Sequence, residues 1–417
     1  MQKVALDPIV VASIERMIDL LGRDHLRSKL LEKTDRLDLT VPLLGWFDVD
    51  LLFLLGHYLM FRESKDTPII DGYLNPILEL TCLAQCLLPF RDYFSDQANL
   101  NLLRGRLLAP GEGYASVRFE ALIAKTLKEN GHKVDVRAFR GEEDFDILSS
   151  SGGTSVEIEC KTQSVESGQR VKMKDVMRLI DAIVKAVSVS DKRLVLFLGC
   201  SDRLLENDLD ALSTVIRRTI GSHEFERHSL TLDADRQYEI EISDIGSTTD
   251  PLDPSELSRI VQARKFDNPP RVAFFGRMVP QESVADPDLS LPEPPSYILS
   301  WSKKKNRPLT NLRKVFRDAV WHQFSGSRPS VVCLHLDADI SWPQIMKLEN
   351  PYEAFAAAFQ EQPKVSALLL SGLDKSTENY LRGSCTSDPL LLRNKCSEIP
   401  LPENYRFFKD AQKWCKN

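Results

Sequence analysis

The sequence predicts an α/β protein with a helical N-terminal region, an α/β core and a further α/β region at the C-terminal end. Apolar residues recur at helical spacing before residue 110, and helix-like and strand-like segments alternate through the rest of the chain. A length of 417 residues favours two or three domains. We predict boundaries that give regions 1–110, 111–225 and 226–417, the last being either separate or an extension of the core sheet.

Composition excludes some classes of protein. The formal net charge of −6 gives no chain-wide basic field, so any nucleic-acid contact would depend on local basic patches and metal ions. The eight cysteines lack the paired spacing of a structural zinc site, and free thiols are typical of a reducing, cytoplasmic setting. The most apolar stretch, 46–61, is shorter than the roughly 20 residues needed to cross a membrane, so we expect no membrane partner.

The helical N-terminal region shows no catalytic constellation. Residues 8–21 have an amphipathic pattern, and residues 43–61 and 73–89 are strongly apolar, which indicates helices that pack together. We expect this region to bind a protein partner or the flank of a substrate.

The core begins with a predicted helix that ends before Gly131, a helix stop signal. Three strand-like segments follow it, then a second helix and a short apolar strand. In order, the segments are Ser116–Asn130, Val134–Phe139, Glu142–Leu148, Val156–Lys161, Val171–Val187 and Leu194–Gly199.

The strand Val156–Lys161 is unusual because one of its faces is charged. Side chains alternate along a strand, so Glu157, Glu159 and Lys161 share one face and apolar residues share the other. A charged face is costly unless it meets water, a metal or a ligand. The alternative is an edge strand whose charges prevent aggregation, as we expect for the similar pattern at Tyr238–Ile245.

The core segment resembles the PD-(D/E)XK nuclease superfamily, in particular its branch of Mrr-like and Holliday-junction-resolvase-like enzymes. Glu120 matches the family's helical carboxylate, Asp146 its strand aspartate, and Glu159-Cys160-Lys161 its (Asp/Glu)-x-Lys motif. Phe145 stands where the name-giving proline would be, and Asp144 could substitute for Asp146 or assist it. The resemblance implies a restriction-endonuclease-like αβββαβ core.

The resemblance also implies a function, namely Mg²⁺- or Mn²⁺-dependent hydrolysis of DNA phosphodiester bonds by an endonuclease of restriction, phage defence or repair. Asp146 and Glu159 would hold the metal, and Glu120 would bind a water or a second ion. Lys161 would orient the attacking water and stabilise the developing negative charge. Oligomeric state stays open, with a homodimer as one option.

Basic residues outside the motif are candidate nucleic-acid contacts. Arg170, Lys172 and Lys174 open the helix after the motif, and Lys303, Lys304 and Lys305 belong to the densest basic patch of the chain. The alternative for each is a solvated helix face. Two other functions stay open: a nuclease-like module that binds nucleic acid or assembles without catalysis, and a protein-binding scaffold.

Overall fold

Two β-sheets, each mixing parallel and antiparallel strands, organise the chain into an α/β structure. The computed structural model describes residues 8–36, 51–63, 71–109, 113–142, 144–163, 170–187, 192–222, 227–233, 236–247, 259, 271–275, 296–304, 308–336, 350–373 and 386–407. The chain divides into two compact units. Unit one comprises Met1–Lys33, Val49–Ser167 and Pro308–Asn417, and unit two comprises Thr34–Asp48 and Gly168–Arg307.

Both units contain helices as well as strands. The helices are α1 (Pro8–Leu21), α2 (Arg23–Arg36), α3 (Leu51–Glu63), α4 (Asp71–Leu87), α5 (Gln97–Leu107), α6 (Gly113–Glu129), α7 (Met173–Val187), α8 (Leu209–Ser222), α9 (Pro308–Gln323) and α10 (Pro351–Glu361). The strands are β1 (Lys133–Val136), β2 (Ile147–Ser151), β3 (Thr154–Gln163), β4 (Lys192–Cys200), β5 (Arg227–Thr231), β6 (Gln237–Ser247), β7 (Arg271–Phe275), β8 (Ser296–Ser302), β9 (Ser330–Leu336), β10 (Ala367–Leu373) and β11 (Thr386–Arg393).

Unit one is built on a six-stranded sheet in the order β1-β2-β3-β9-β10-β11. The pairs β3–β9 and β9–β10 are parallel, and the other pairs are antiparallel. One sheet face, with Ile158 and Val331, shares a core with the N-terminal helices and α6. The other face, with Val332 and Leu334, packs on α9 and α10. Strand β3 is therefore interior to the sheet, with helices on both faces.

Local sequence accounts for several of these elements. Asp96 caps α5 by accepting a hydrogen bond from the Ala98 N–H at 2.7 Å. Gly152 and Gly153, both at positive φ, form the two-residue connection between β2 and β3, a backbone conformation that other residues rarely adopt. This tight hairpin sets the register that aligns the start of β2 with the middle of β3, where Ile147 pairs with Ile158.

Unit two is built on a five-stranded sheet in the order β5-β6-β4-β8-β7. Only the β4–β8 pair is parallel among its described strands. Helices α7 and α8 share a hydrophobic core with one sheet face, through residues such as Ile180, Leu196, Ile216 and Ile240.

The segment Leu194–Gly199, predicted to be the last strand of the core, does not lie in the same sheet as the charged strand. That segment lies in β4 of unit two, and the strand parallel to β3 is β9, which follows α9. The segments α7–β4 and α9–β9 have the same helix-then-apolar-strand pattern. Periodicity therefore could not show which of the two strands pairs with β3. Only the hydrogen bonds across the sheet show this.

The predicted domain boundaries also differ from the two units. The helical region before residue 110 shares its hydrophobic core with the sheet, so it is not a separate domain. Residues 168–225 belong with residues 226–307 in unit two. Strands β9 to β11 lie in the same sheet as β1 to β3, which is the predicted option in which the last region extends the core sheet. The boundary at residue 225 falls within unit two because a sheet pairs strands that are distant in sequence.

Two further expectations concern membrane-spanning helices and free cysteines. None of the helices in the ranges given above is long and apolar enough to cross a membrane. Free thiols are found at Cys86, Cys160, Cys200, Cys333 and Cys396, whereas Cys82 is disulfide-bonded, so the expectation of free thiols fails there.

Candidate active site

Three of the four residues predicted to be catalytic form one cluster in unit one. The register of β2 and β3 brings Asp146, the residue before β2, next to Glu159 of β3. Their carboxyl groups share a hydrogen bond, and the Cys160 N–H donates to Asp146 Oδ2 at 2.7 Å. Lys161 forms an ion pair with Glu159. The cluster therefore combines two carboxyl groups and an ammonium at the junction of two neighbouring strands.

The fourth residue, Glu120, lies on α6 and is buried. Its Oε1 accepts a hydrogen bond from Arg106 Nη2 at 2.5 Å. Its Oε2 is also buried, and no described residue hydrogen-bonds to it. Glu120 interacts electrostatically with both Asp146 and Lys161. All four predicted residues thus belong to one electrostatic group, although Glu120 is held by a separate partner.

Helix α6 is fixed against β3 close to Glu120. Ser116 Oγ and Thr162 Oγ1 are 2.9 Å apart and share a hydrogen bond. Ser116 lies four residues before Glu120, so both side chains are on the same face of the helix. The pair therefore holds the face of α6 that bears Glu120 toward the strand that bears Glu159 and Lys161.

Burial and mutual repulsion make the carboxyl groups hold protons. Burial and the charge of Asp146 raise the pKa of Glu120 to about 7. The same two causes raise the pKa of Glu159 to about 9, against the opposing effect of Lys161, and burial raises the pKa of Asp146. Burial lowers the pKa of Lys161, but Glu159 and Asp146 outweigh this and raise it overall. Without a bound cation, the Asp146–Glu159 pair therefore holds a shared proton to a higher pH than separate carboxyl groups would, while Lys161 pairs with the charge that remains.

Sequence reasoning missed two residues that contact the cluster. Arg106 lies near the end of α5, within the region predicted to hold no catalytic constellation. Gln323 is the last residue of α9, and its side-chain amide, oriented with the NH₂ group toward the carboxyl, donates to Glu159 Oε2 at 2.9 Å. Neither residue follows a motif or a periodicity. Gln323 is 164 positions from Glu159 in the sequence, so only the folded structure identifies the contact.

Two nearby carboxylates serve other purposes. Asp144, the alternative to Asp146, is mostly exposed and pairs with Arg137 Nη2 at 3.1 Å. Glu157 is fully buried, and it accepts hydrogen bonds from the Ser325 N–H at 2.9 Å and from Ser325 Oγ at 2.6 Å. The structure therefore places Asp146 beside the motif and uses Glu157 to anchor the segment after α9.

The predicted nucleic-acid contacts that are described belong to unit two, whereas the cluster belongs to unit one. Arg170 Nη1 and Lys304 Nζ both pair with Asp202, at 2.9 and 3.2 Å, and Lys303 Nζ pairs with Glu239 at 2.5 Å. These pairs partly neutralise the patch. Lys172 is partly exposed, and the side chain of Lys174 and the whole of Lys305 lie outside the described residues.

The cluster offers a partial set of metal ligands. Within the described ranges, no group of three or more His, Cys, Asp or Glu side chains is arranged to hold a metal ion. Mg²⁺, however, is commonly bound through one or two carboxylates, with waters and substrate phosphates as its other ligands. Asp146 and Glu159 fit that pattern in number and donor type. The unpartnered, buried Glu120 Oε2 adds an oxygen acceptor in the same group.

Known proteins contribute no assignment for this site. No protein-family model, curated protein or solved structure matches the chain. The function of the cluster must therefore be inferred from the geometry and chemistry of its own residues.

Proposed function

We propose that this chain is a Mg²⁺-dependent nuclease of the PD-(D/E)XK type that hydrolyses DNA phosphodiester bonds. The observation that carries the proposal is the contact between Asp146, Glu159 and Lys161 at the junction of β2 and β3. The order of elements supports it as well. Helix α6, strands β1, β2 and β3, helix α9 and strand β9 follow the αβββαβ order, with residues Gly168–Arg307 of unit two inserted between β3 and α9.

The residues of the cluster suit a reaction on an anion only if a cation is present. Carboxylates repel a phosphate, so Asp146 and Glu159 would act by holding Mg²⁺. When bound, the metal lowers the pKa of a water molecule and stabilises the phosphate oxygens. The chain would have to release the proton that Asp146 and Glu159 share, and Lys161 would have to leave Glu159.

Lys161 has the exposure that contact with a substrate requires. Its side chain is 35% exposed, whereas that of Glu159 is 1% exposed. An ammonium group released from Glu159 could orient an attacking water and stabilise negative charge on the phosphate. Such electrostatic contributions are typically worth about 100- to 1,000-fold in rate.

The test is cleavage of supercoiled plasmid, branched DNA and RNA by the full chain, with Mg²⁺ or Mn²⁺ and with a chelator as control. We expect metal-dependent cleavage of DNA, reduced at least about 100-fold by Lys161→Ala. The control is Lys314→Ala, which removes an exposed lysine of α9. Equal activity of the wild type and Lys161→Ala would refute the proposal.

The contacts within the cluster favour a second function, in which the site binds nucleic acid without cutting it. Glu159 contacts Asp146, Lys161 and Gln323, and the described residues offer no complete three-residue metal set. A module that binds nucleic acid without cutting it would retain this arrangement. DNA binding that needs no metal and is unchanged by Asp146→Asn would favour this alternative over the nuclease.

A further inference from the structure

Arg106 makes contacts that extend beyond a single ion pair. Its Nη2 donates to Glu120 Oε1 at 2.5 Å, and its Nη1 donates to the Ala138 carbonyl oxygen at 3.2 Å. The side chain is 27% exposed, and that of Glu120 is 4% exposed. The guanidinium group thus connects α5 both to α6 and to the short 3₁₀ helix Arg137–Arg140 after β1.

The contact with Ala138 leads to the second carboxylate of the site. The Ala138 N–H donates to the backbone oxygen of Asp146 at 3.1 Å. Arg106 therefore touches Glu120 directly, and a single residue, Ala138, connects it to the backbone of Asp146. Asp146 also interacts with Arg106 electrostatically. One side chain thus links the helical carboxylate to the segment that holds the strand carboxylate.

Arg106 is also the only hydrogen-bond partner of Glu120 within the described part of the chain. Without it, Glu120 would be a buried carboxyl with no donor near either oxygen. Such a group tends to become protonated or to change rotamer, because an uncompensated buried charge is costly. A guanidinium bound at one oxygen leaves the other, Oε2, in a defined position.

We propose that Arg106 is a positioning residue of the active site, which orients Glu120 and braces the segment before Asp146. It follows that α5, and with it the helical N-terminal region, is an integral part of the catalytic unit. This inference rests on the proposed nuclease function for its activity readout. Outer-shell partners of metal-site residues commonly change activity or metal affinity about 10- to 100-fold when they are substituted.

The experiment is a double-mutant cycle of Arg106→Gln and Glu120→Gln in the full chain. It measures single-turnover DNA cleavage, the KM for DNA, and the affinity for Mn²⁺ by calorimetry. We expect Arg106→Gln to lower the cleavage rate about 10- to 100-fold with little change in KM. The double variant should be slower than Glu120→Gln by a smaller factor than Arg106→Gln is slower than the wild type, because part of the effect of Arg106 acts through Glu120.

Two more variants separate positioning from folding. Arg104→Gln is the matched control, since Arg104 lies on the same helix and bonds to the Leu21 carbonyl oxygen instead of the site. It should keep wild-type rates. Arg106→Lys should recover part of the loss, because an ammonium can reach one of the two acceptors. Circular dichroism on every variant identifies any that fail to fold. If Arg106→Gln fails to fold, the cleavage rate of Arg106→Lys is compared with that of the wild type instead.

The outcomes distinguish this inference from the proposed function. Wild-type cleavage that Arg106→Gln leaves unchanged overturns the role of Arg106 and keeps the nuclease. Fully additive effects of Arg106→Gln and Glu120→Gln also overturn it. The wild type could instead bind Mn²⁺ without cutting DNA. Weaker Mn²⁺ binding by Arg106→Gln, with a smaller loss in the Glu120→Gln background, would then support the role of Arg106 while the nuclease fails. An absence of both cleavage and Mn²⁺ binding overturns both.

Discussion

Strand β3 of unit one and strand β6 of unit two carry nearly the same sequence pattern but have different surroundings. In both strands, glutamates alternate with buried apolar residues. Glu157 and Glu159 of β3 are almost fully buried, whereas Glu239 and Glu241 of β6 are partly exposed. Neither is an edge strand, because β3 pairs with β2 and β9, and β6 pairs with β5 and β4. The proposed role of edge charges in preventing aggregation is therefore wrong for both strands.

The difference between the strands comes from what covers their acidic faces. Helix α9 packs on the face of the unit one sheet that includes Glu157 and Glu159, and Gln323 and Ser325 contact these two residues. Glu239 instead pairs with the exposed Lys303. A carboxylate in water keeps ordinary properties, while one enclosed by protein must find donors, hold a proton or bind a cation. The same pattern thus produces a candidate active site in one unit and a solvated face in the other.

The largest expected effect is on the proposed nuclease activity, through the enclosed residue Glu159. Glu159→Gln should lower metal-dependent DNA cleavage about 100-fold or more, because the neutral amide is a poor Mg²⁺ ligand and cannot replace the carboxylate. Glu241→Gln, the matched change on β6, should alter the rate by less than about twofold. Both are measured under single-turnover conditions. Comparable losses in the two variants would mean that the enclosure of β3 does not define the active site.

The second effect is on the pH dependence of stability. A carboxyl group whose pKa is higher in the folded than in the unfolded protein holds its proton more tightly in the folded state. The free energy of unfolding therefore falls as the pH rises from the unfolded-state pKa to the folded-state pKa. Burial raises the pKa of Glu120 from 4.5 to about 7 and that of Glu159 from 4.5 to about 9. The free energy of unfolding of the metal-free protein should therefore fall between pH 5 and pH 9, by up to about 1.4 kcal/mol per pH unit for each of the two groups.

Urea denaturation at a series of pH values measures this loss. Glu159→Gln should flatten the curve, because it removes the group with the highest folded-state pKa. Glu239→Gln on β6 should leave the curve unchanged. A metal-free wild type whose stability rises from pH 5 to pH 9 would contradict the proton-holding cluster.

The smallest expected effect is a difference in stability between matched substitutions on the two strands. Glu157→Gln leaves Ser325 and Arg328 next to a neutral amide and should cost about 1–3 kcal/mol, since buried hydrogen bonds to a charged group are lost. Glu239→Gln breaks a surface ion pair with Lys303 and should cost less than about 1 kcal/mol. Urea midpoints at constant slope provide the comparison. Equal costs would show that the two acidic faces are equally solvated.

Much of the fold followed from sequence patterns. The predicted helix at Ser116–Asn130 corresponds to α6, and the predicted helix at Val171–Val187 corresponds to α7. The strand predicted at Glu142–Leu148 begins only at Ile147, so Asp146 lies at the strand's entrance instead of within it. Boundaries of this kind depend on which backbone groups find partners in the sheet, and alternation alone does not reveal that.

The part of the candidate site that was predictable from the sequence is the part whose residues lie close together in the chain. Asp146, Glu159 and Lys161 lie within 16 residues of one another, and the Gly152-Gly153 turn sets their register. The partners that hold them come from elsewhere in the chain. Arg106 lies before the predicted core, and Gln323 lies beyond the whole of unit two. Their side chains show no pattern that distinguishes them from other arginines and glutamines.

The sequence by itself determined the α/β class, the helical N-terminal region and the alternation that puts Glu157, Glu159 and Lys161 on one strand face, because these follow from periodicity and backbone geometry. Tertiary structure alone decided that β9 and not β4 lies beside β3, and that α9 covers the acidic face. The physical reason is that strand pairing and burial depend on contacts between distant segments. Those contacts turn an ordinary row of charges into a cluster that must hold protons or a cation.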